Sequence, residues 1–169
     1  NKQKREQTWI GKKNPEYDIA NIEPRILDEK TEFSYGDQNS DNIIIHGDNL
    51  LALKALLPEF EGKIKCIYID PPYNTGSAFK DYDDSVEHST WLSLMRPRLE
   101  LLKMLLSEDG VIFVQIDDNE QGYLQMIMLE VFGPQNFISC LPVIQNLKGN
   151  QDQFGFAGTH EYILVFARN

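Results

Sequence analysis

The sequence is poor in cysteine, with two in 169 residues, and poor in positive charge, with 16 Lys and Arg against 26 Asp and Glu. Cys66 and Cys140 both fall in predicted strands, with no companion at metal-ligand spacing. That excludes a disulfide scaffold and a cysteine metal site, and it suits a reducing cytoplasm. A net charge of −10 argues against a general clamp on nucleic acid, since nonspecific affinity comes mostly from Lys and Arg on phosphates. There is no apolar run of membrane-spanning length and no signal peptide, so no membrane partner is expected. Also missing is a Gly-rich turn between a strand and a helix, the device that lets a backbone approach a nucleotide-like cofactor. With 41% hydrophobic residues, the chain can still bury the core of one domain.

The informative stretch runs from Cys66 to Thr75. Ile64 to Ile69 reads as a short buried strand, rich in β-branched and aromatic residues and stopped by a turn signal. Asp70 therefore sits at the carboxyl end of a strand. Pro71 and Pro72 each fix their own φ and hold the preceding residue extended, so the segment is stiff, and neither can donate a backbone hydrogen bond. Tyr73 adds an aromatic face beside a carboxylate and free carbonyl oxygens. Such a site suits the exocyclic amino group of a stacked base, which offers two donors to acceptors.

Asp70-Pro71-Pro72-Tyr73-Asn74-Thr75-Gly76 resembles the catalytic motif of amino-group DNA methyltransferases. In this extended form it is similar to the modification subunits of type III restriction systems. The resemblance runs from about Trp9 to Asn169. It implies S-adenosylmethionine as methyl donor, double-stranded DNA as substrate, and a restriction subunit and a second copy of the chain as partners of the full-length protein. No metal is implied. Asp70 and the Pro71 carbonyl would accept the two amino protons, Pro72 would stiffen the turn, and Tyr73 would stack on a flipped base with Asn74 beside it. Gly47-Asp48 followed by leucines resembles the segment that contacts the cofactor's adenine, which implies cofactor contacts for Asp48 and Asp70. Asp48 is equally a good N-cap for the helix after it. In the family the loop between the last two strands lies near the base, here with Lys148, Asn150, Gln153 and Phe154. Aspartate at the first motif position leans toward adenine N6 over cytosine N4. Methylation of RNA or a protein amide, and a catalytically silent binding module, remain alternatives.

The remaining elements give an α/β order, with strands at Asn42–Ile45, Ile64–Ile69, Val111–Ile116, Phe137–Ile144 and Glu161–Ala167. The expected fold is an incomplete Rossmann-like methyltransferase sheet, mostly parallel with a final antiparallel hairpin and flanking helices. Residues 1–41 read as an irregular extension, and residues 42–169 as the N-terminal part of the catalytic domain. Methyltransferases of this permuted class carry their Phe-x-Gly-x-Gly element after the target-recognition region. A gap in the sheet and weak cofactor binding by these residues alone are therefore expected.

Five local expectations complete the reading. The basic residues Lys2, Lys4, Arg5, Lys12 and Lys13 form a solvated arm, with Trp9 and Ile10 as anchors. The helix of Leu50, Leu53, Leu56 and Leu57 ends at Pro58. A second helix, carrying Trp91 and Met95, is kinked or divided by Pro97 and ended by Gly110. Asp117 to Glu120 favour the first turn of the helix Glu120–Phe132, in preference to a cation site. The polar stretch Gly76 to His88 is a loop beside the presumed base pocket.

Overall fold

The structure, a computed structural model, describes residues 6–37, 40–74, 88–145, 147 and 158–169. Three helices and four strands follow each other as α1 (Asn49–Phe60), β1 (Ile64–Ile69), α2 (His88–Leu105), β2 (Leu106–Ile116), α3 (Gln121–Phe132), β3 (Phe137–Ile144) and β4 (His160–Ala167). The strands form one sheet in the order β1-β2-β4-β3. β1 and β2 are parallel, with Tyr68 opposite Phe113, while β2–β4 and β3–β4 are antiparallel. A parallel pair needs a crossover, and α2 lies in it.

Alternation along the strands explains which face is covered. Ile112, Val114 and Ile116 are paired across the ladder with Phe166, Leu164 and Tyr162, so this row points to one side. There it packs with Leu99 and Leu102 of α2 and Leu124, Ile127 and Met128 of α3 to form the main core. A smaller cluster of Ile22, Leu57, Leu101 and Leu105 joins α1 to α2 and the N-terminal segment. Arg168 closes the base by donating to the carbonyls of Lys103, Met104 and Leu106, where α2 gives way to β2.

Several local expectations are corrected. Asn42–Ile45 is not a sheet strand; Ile43 is 62% and Ile44 88% exposed, because no strand among the described residues lies alongside to complete a ladder. β1, read as a buried strand, buries only Ile67, while Cys66 and Tyr68 face outward from an edge strand. The apolar run Val111–Ile116 suggests a strand buried on both faces, but in β2 one row is fully buried and Val111, Phe113 and Gln115 are half-buried. Pro97 does not divide α2, which runs unbroken for 18 residues. α1 continues two residues past Pro58. The helix ends before Gly110, which instead lies in β2 beside the shift in register between β1 and β2. A Cβ there would stand 2.9 Å from the carbonyl oxygens of Ile64 and Ser107, so the close approach of two backbones requires glycine.

The N-terminal segment is clipped down and not fully solvated. Trp9 Nε1 donates to Ser93 Oγ at 2.9 Å, and Lys12, with its side chain 7% exposed, pairs with Glu130 at 2.9 Å and Glu6 at 3.1 Å. Ile10 is exposed and anchors nothing. Lys2, Lys4 and Arg5 lie outside the described residues. No described helix is long and apolar enough to cross a membrane.

Candidate active site

The loop that leaves β1 is held by side chains from three other elements. Asp70 follows the strand directly and is exposed, whereas Pro71 is buried and Pro72 to Asn74 are half-buried. Trp91 Nε1, in the first turn of α2, donates to the Pro72 carbonyl at 2.7 Å. Tyr73 Oη donates to Glu161 Oε2 at 2.9 Å. That one carboxylate oxygen also receives Gln115 Nε2 at 2.6 Å and Gln145 Nε2 at 3.0 Å, so β2, β4 and the residue just after β3 all bear on the tyrosine. Tyr68 Oη reaches Gln115 and carries the chain of bonds back to β1.

Asn74 lies in the left-handed region at φ +59°, where a non-glycine residue needs support from its surroundings. Its Nδ2 donates to Glu120 Oε1 at 2.6 Å, and His88 Nδ1 lies 2.7 Å from the same oxygen. Glu120 was expected among the first-turn acids of α3. It sits at the N-cap without a side-chain capping bond, fully buried and turned toward the loop. Asp117 makes the local turn instead, accepting from the Asn119 N–H at 3.0 Å.

The site is negative. Asp70, Asp117, Glu120 and Glu161 all lie at the carboxyl ends of strands or just beyond or beside them. Burial pushes the Asp117 carboxyl above the ordinary carboxylate range. Burial, then the hydrogen-bonding carboxylates of Asp70 and Glu161, push the Tyr73 phenol far up, so it is neutral and a donor at any physiological pH. Such a surface repels phosphate and welcomes amino groups. No group of His, Cys, Asp and Glu able to hold a metal ion occurs among the described residues.

Asp48 is placed differently. Its Oδ1 caps α1 by accepting from Leu50 N at 2.9 Å and Leu51 N at 3.1 Å, and its Oδ2 faces Arg98 at 3.8 Å. None of these contacts reaches the Asp70–Asn74 loop. Thr75, Gly76, Lys148, Asn150, Gln153, Phe154 and most of the polar loop before His88 lie outside the described residues. Sequence reasoning missed Glu120, Glu161 and Gln115, and it gave Trp91 no role at the loop. One signal was available: Glu161 is a lone acid near the start of an otherwise apolar strand.

A family model described as DNA methylase, that of the N6/N4 methyltransferases, matches residues 64–169. The chain belongs to the N6/N4 DNA methylase family. Within it, the chain is 41% identical to the Mod subunit of the EcoPI type III restriction-modification enzyme of Escherichia phage P1, over 95% of this chain and 30% of that protein. It is 34% identical to the EcoP15I Mod subunit of Escherichia coli, again over 95% of this chain and 30% of that protein. The chain thus spans under a third of the length of these relatives. Among solved structures, the cytosine-N4-specific PvuII DNA methyltransferase superposes with a TM-score of 0.52 at 15% identity, over 70% of this chain and 47% of that one. At that identity the likeness concerns the fold, and it agrees with a Rossmann-like methyltransferase sheet.

Proposed function

We propose that this chain receives the target base in an S-adenosylmethionine-dependent methyltransferase that acts on adenine N6 in double-stranded DNA, as the modification subunit of a type III restriction-modification system. One observation carries the reading. Trp91 occupies the Pro72 carbonyl and Glu161 accepts a hydrogen bond from the Tyr73 hydroxyl, while the exposed Asp70 carboxylate, which also lies beside that hydroxyl, and the Pro71 carbonyl are the loop's further acceptors next to an aromatic ring. Two acceptors next to a flat face match the two N–H donors of an exocyclic amino group.

The adenine amino nitrogen is a weak nucleophile, because its lone pair is delocalised into the ring. Asp70 and the Pro71 carbonyl accept hydrogen bonds from its two N–H groups and draw the nitrogen toward tetrahedral geometry. Tyr73 stacks on the base after it leaves the duplex, at a cost of a few kcal/mol in lost stacking and pairing. Asp70 is also placed to take the proton the nitrogen loses once its new bond to carbon has formed. Most of the acceleration comes from holding these groups in place beforehand. No thiolate takes part.

S-adenosylmethionine, when bound, supplies an electrophilic methyl on a sulfonium. The residues present fit part of it. Asp48 caps α1 with Oδ1 and turns Oδ2 toward Arg98 at 3.8 Å, yet its side chain is 55% exposed, so a further donor can reach it, and Asp70 offers a second carboxylate, both suited to amino groups of the cofactor. A Gly-rich turn is not among the 169 residues. A restriction subunit and a second copy of the chain are the partners in this reading, and Lys148 and Asn150 are positions for contact with DNA.

The test incubates the polypeptide encoded by the complete reading frame with duplex DNA and isotopically labelled S-adenosylmethionine. The methylated nucleoside is then identified by mass spectrometry. N6-methyladenine is expected. N4-methylcytosine would reassign the base, and label in RNA or protein but not in DNA would overturn the reading.

A further inference from the structure

Asn74 is held by a carboxylate that the proposed chemistry does not use. Glu120 is 0% exposed, yet its one bonded oxygen, Oε1, serves both Asn74 and His88. A single oxygen thus ties Asn74, shortly after β1, to the first residue of α2. His88 is itself fixed by stacking on Tyr123, with ring centroids 4.4 Å apart. One turn further along α2, Trp91 donates to the Pro72 carbonyl. The loop is thereby gripped at Pro72 and at Asn74, on either side of Tyr73.

We propose that Glu120 is a positioning residue for methyl transfer: by clasping Asn74 and His88 it fixes the left-handed turn that aims Tyr73 and Asp70. The inference rests on the functional reading above. Stability alone is a poor reason for this arrangement. Among the described residues Glu120 Oε2 and Asn74 Oδ1 are buried with no hydrogen-bond partner, and a buried carboxylate met by only two donors costs more than an apolar side chain of similar size. What the carboxylate secures is conformation. Asn74 is the one non-glycine residue at positive φ among the described residues, and without its bond the turn is free to relax to the extended region. That relaxation would swing the chain immediately after Tyr73.

The test uses the complete polypeptide and three variants, Glu120→Ala, Glu120→Gln and Asn74→Gly. Gln keeps an oxygen able to accept from both partners, and Gly keeps positive φ without strain but loses the bond. In Glu120→Ala, kcat for DNA methylation is expected to fall about 100-fold, the scale of a misplaced reacting group. KM for S-adenosylmethionine should stay within about threefold, as for an interaction made in the transition state only. Glu120→Gln should recover most of the rate, and Asn74→Gly should lose about tenfold. Hydrogen exchange at the Tyr73 and Asn74 amides should quicken in Glu120→Ala even without substrate. Unchanged kcat in Glu120→Ala, or a loss shared equally by Glu120→Gln, would overturn the clasp. If Glu120→Ala fails to fold, Asn74→Gly decides, and an unchanged rate there overturns it. A wild-type protein that methylates no DNA defeats the functional reading instead, and unchanged exchange in Glu120→Ala would then still refute the clasp.

Discussion

Replacing Trp91 by Phe separates what holds the loop from what holds the core. Trp91 is 1% exposed, and its indole N–H donates to the Pro72 carbonyl at 2.7 Å. Losing that bond costs about 1 kcal/mol. Trading indole for phenyl in the packed site costs about 1.5 kcal/mol more in buried surface and residual void. The expected loss is about 2.5 kcal/mol, which moves a urea midpoint by about 1 M for a slope near 2.5 kcal/mol per M. A matched control is Ile127→Ala, which creates a void in the same core from α3 and removes no hydrogen bond to the loop, at a cost of about 3 kcal/mol. Both variants are assayed for DNA methylation as full-length proteins, well below their melting temperatures. Trp91→Phe should lose about tenfold more in kcat than Ile127→Ala, because it alone frees the Pro72 carbonyl and lets the turn shift. Equal rates in the two variants would refute the claim that this hydrogen bond positions the loop. A stability loss under about 0.5 kcal/mol would refute the energetic reasoning itself.

Two further predictions concern the supporting structure. The Tyr73 phenol is pushed up by burial and the neighbouring carboxylates, so the folded state keeps its proton where the unfolded chain would lose it. The stability this gives is fully present below the ordinary phenol value of about 10 and is lost as pH rises toward the raised folded value. Urea midpoints measured across that window should fall steeply in the wild type and less steeply in Tyr73→Phe, the residue of the slope coming from Tyr162, whose phenol is also raised. An unchanged slope in the variant would reject the assignment. Gly110→Ala would set a Cβ 2.9 Å from two backbone carbonyl oxygens, and calorimetry should show a loss of about 2 kcal/mol, with a wild-type melting temperature refuting the close approach.

What the sequence revealed and what it withheld have physical causes. The strand before Asp70, the α/β order and the final hairpin follow from periodicity and turn residues, and each is a local signal. Pairing is not local. Asn42–Ile45 has the composition of a strand, but composition does not supply a neighbour, and Ile43 and Ile44 remain exposed. Gly110 reads equally well as a helix stop or as a site of close backbone approach, and only the register between β1 and β2 distinguishes them. At the site, Asp70, Pro71, Pro72 and Tyr73 are contiguous and therefore visible. Glu120 and Glu161 act from 46 and 88 residues away from Asn74 and Tyr73, so their partners appear only after folding. The acids from Asp117 to Glu120 look alike in sequence, yet one makes a turn and another is buried under the loop.

The central claim is that the Asp70 carboxylate accepts a proton of the target amino group, and Asp70→Asn tests it most directly. The substitution preserves size and removes the charge. Single-turnover methylation of adenine, with the complete polypeptide saturated in DNA and S-adenosylmethionine so that any loss of affinity does not enter the rate, should slow about 100- to 1,000-fold. A rate within about tenfold of wild type would contradict the account and return Asp70 to a structural role at the end of β1.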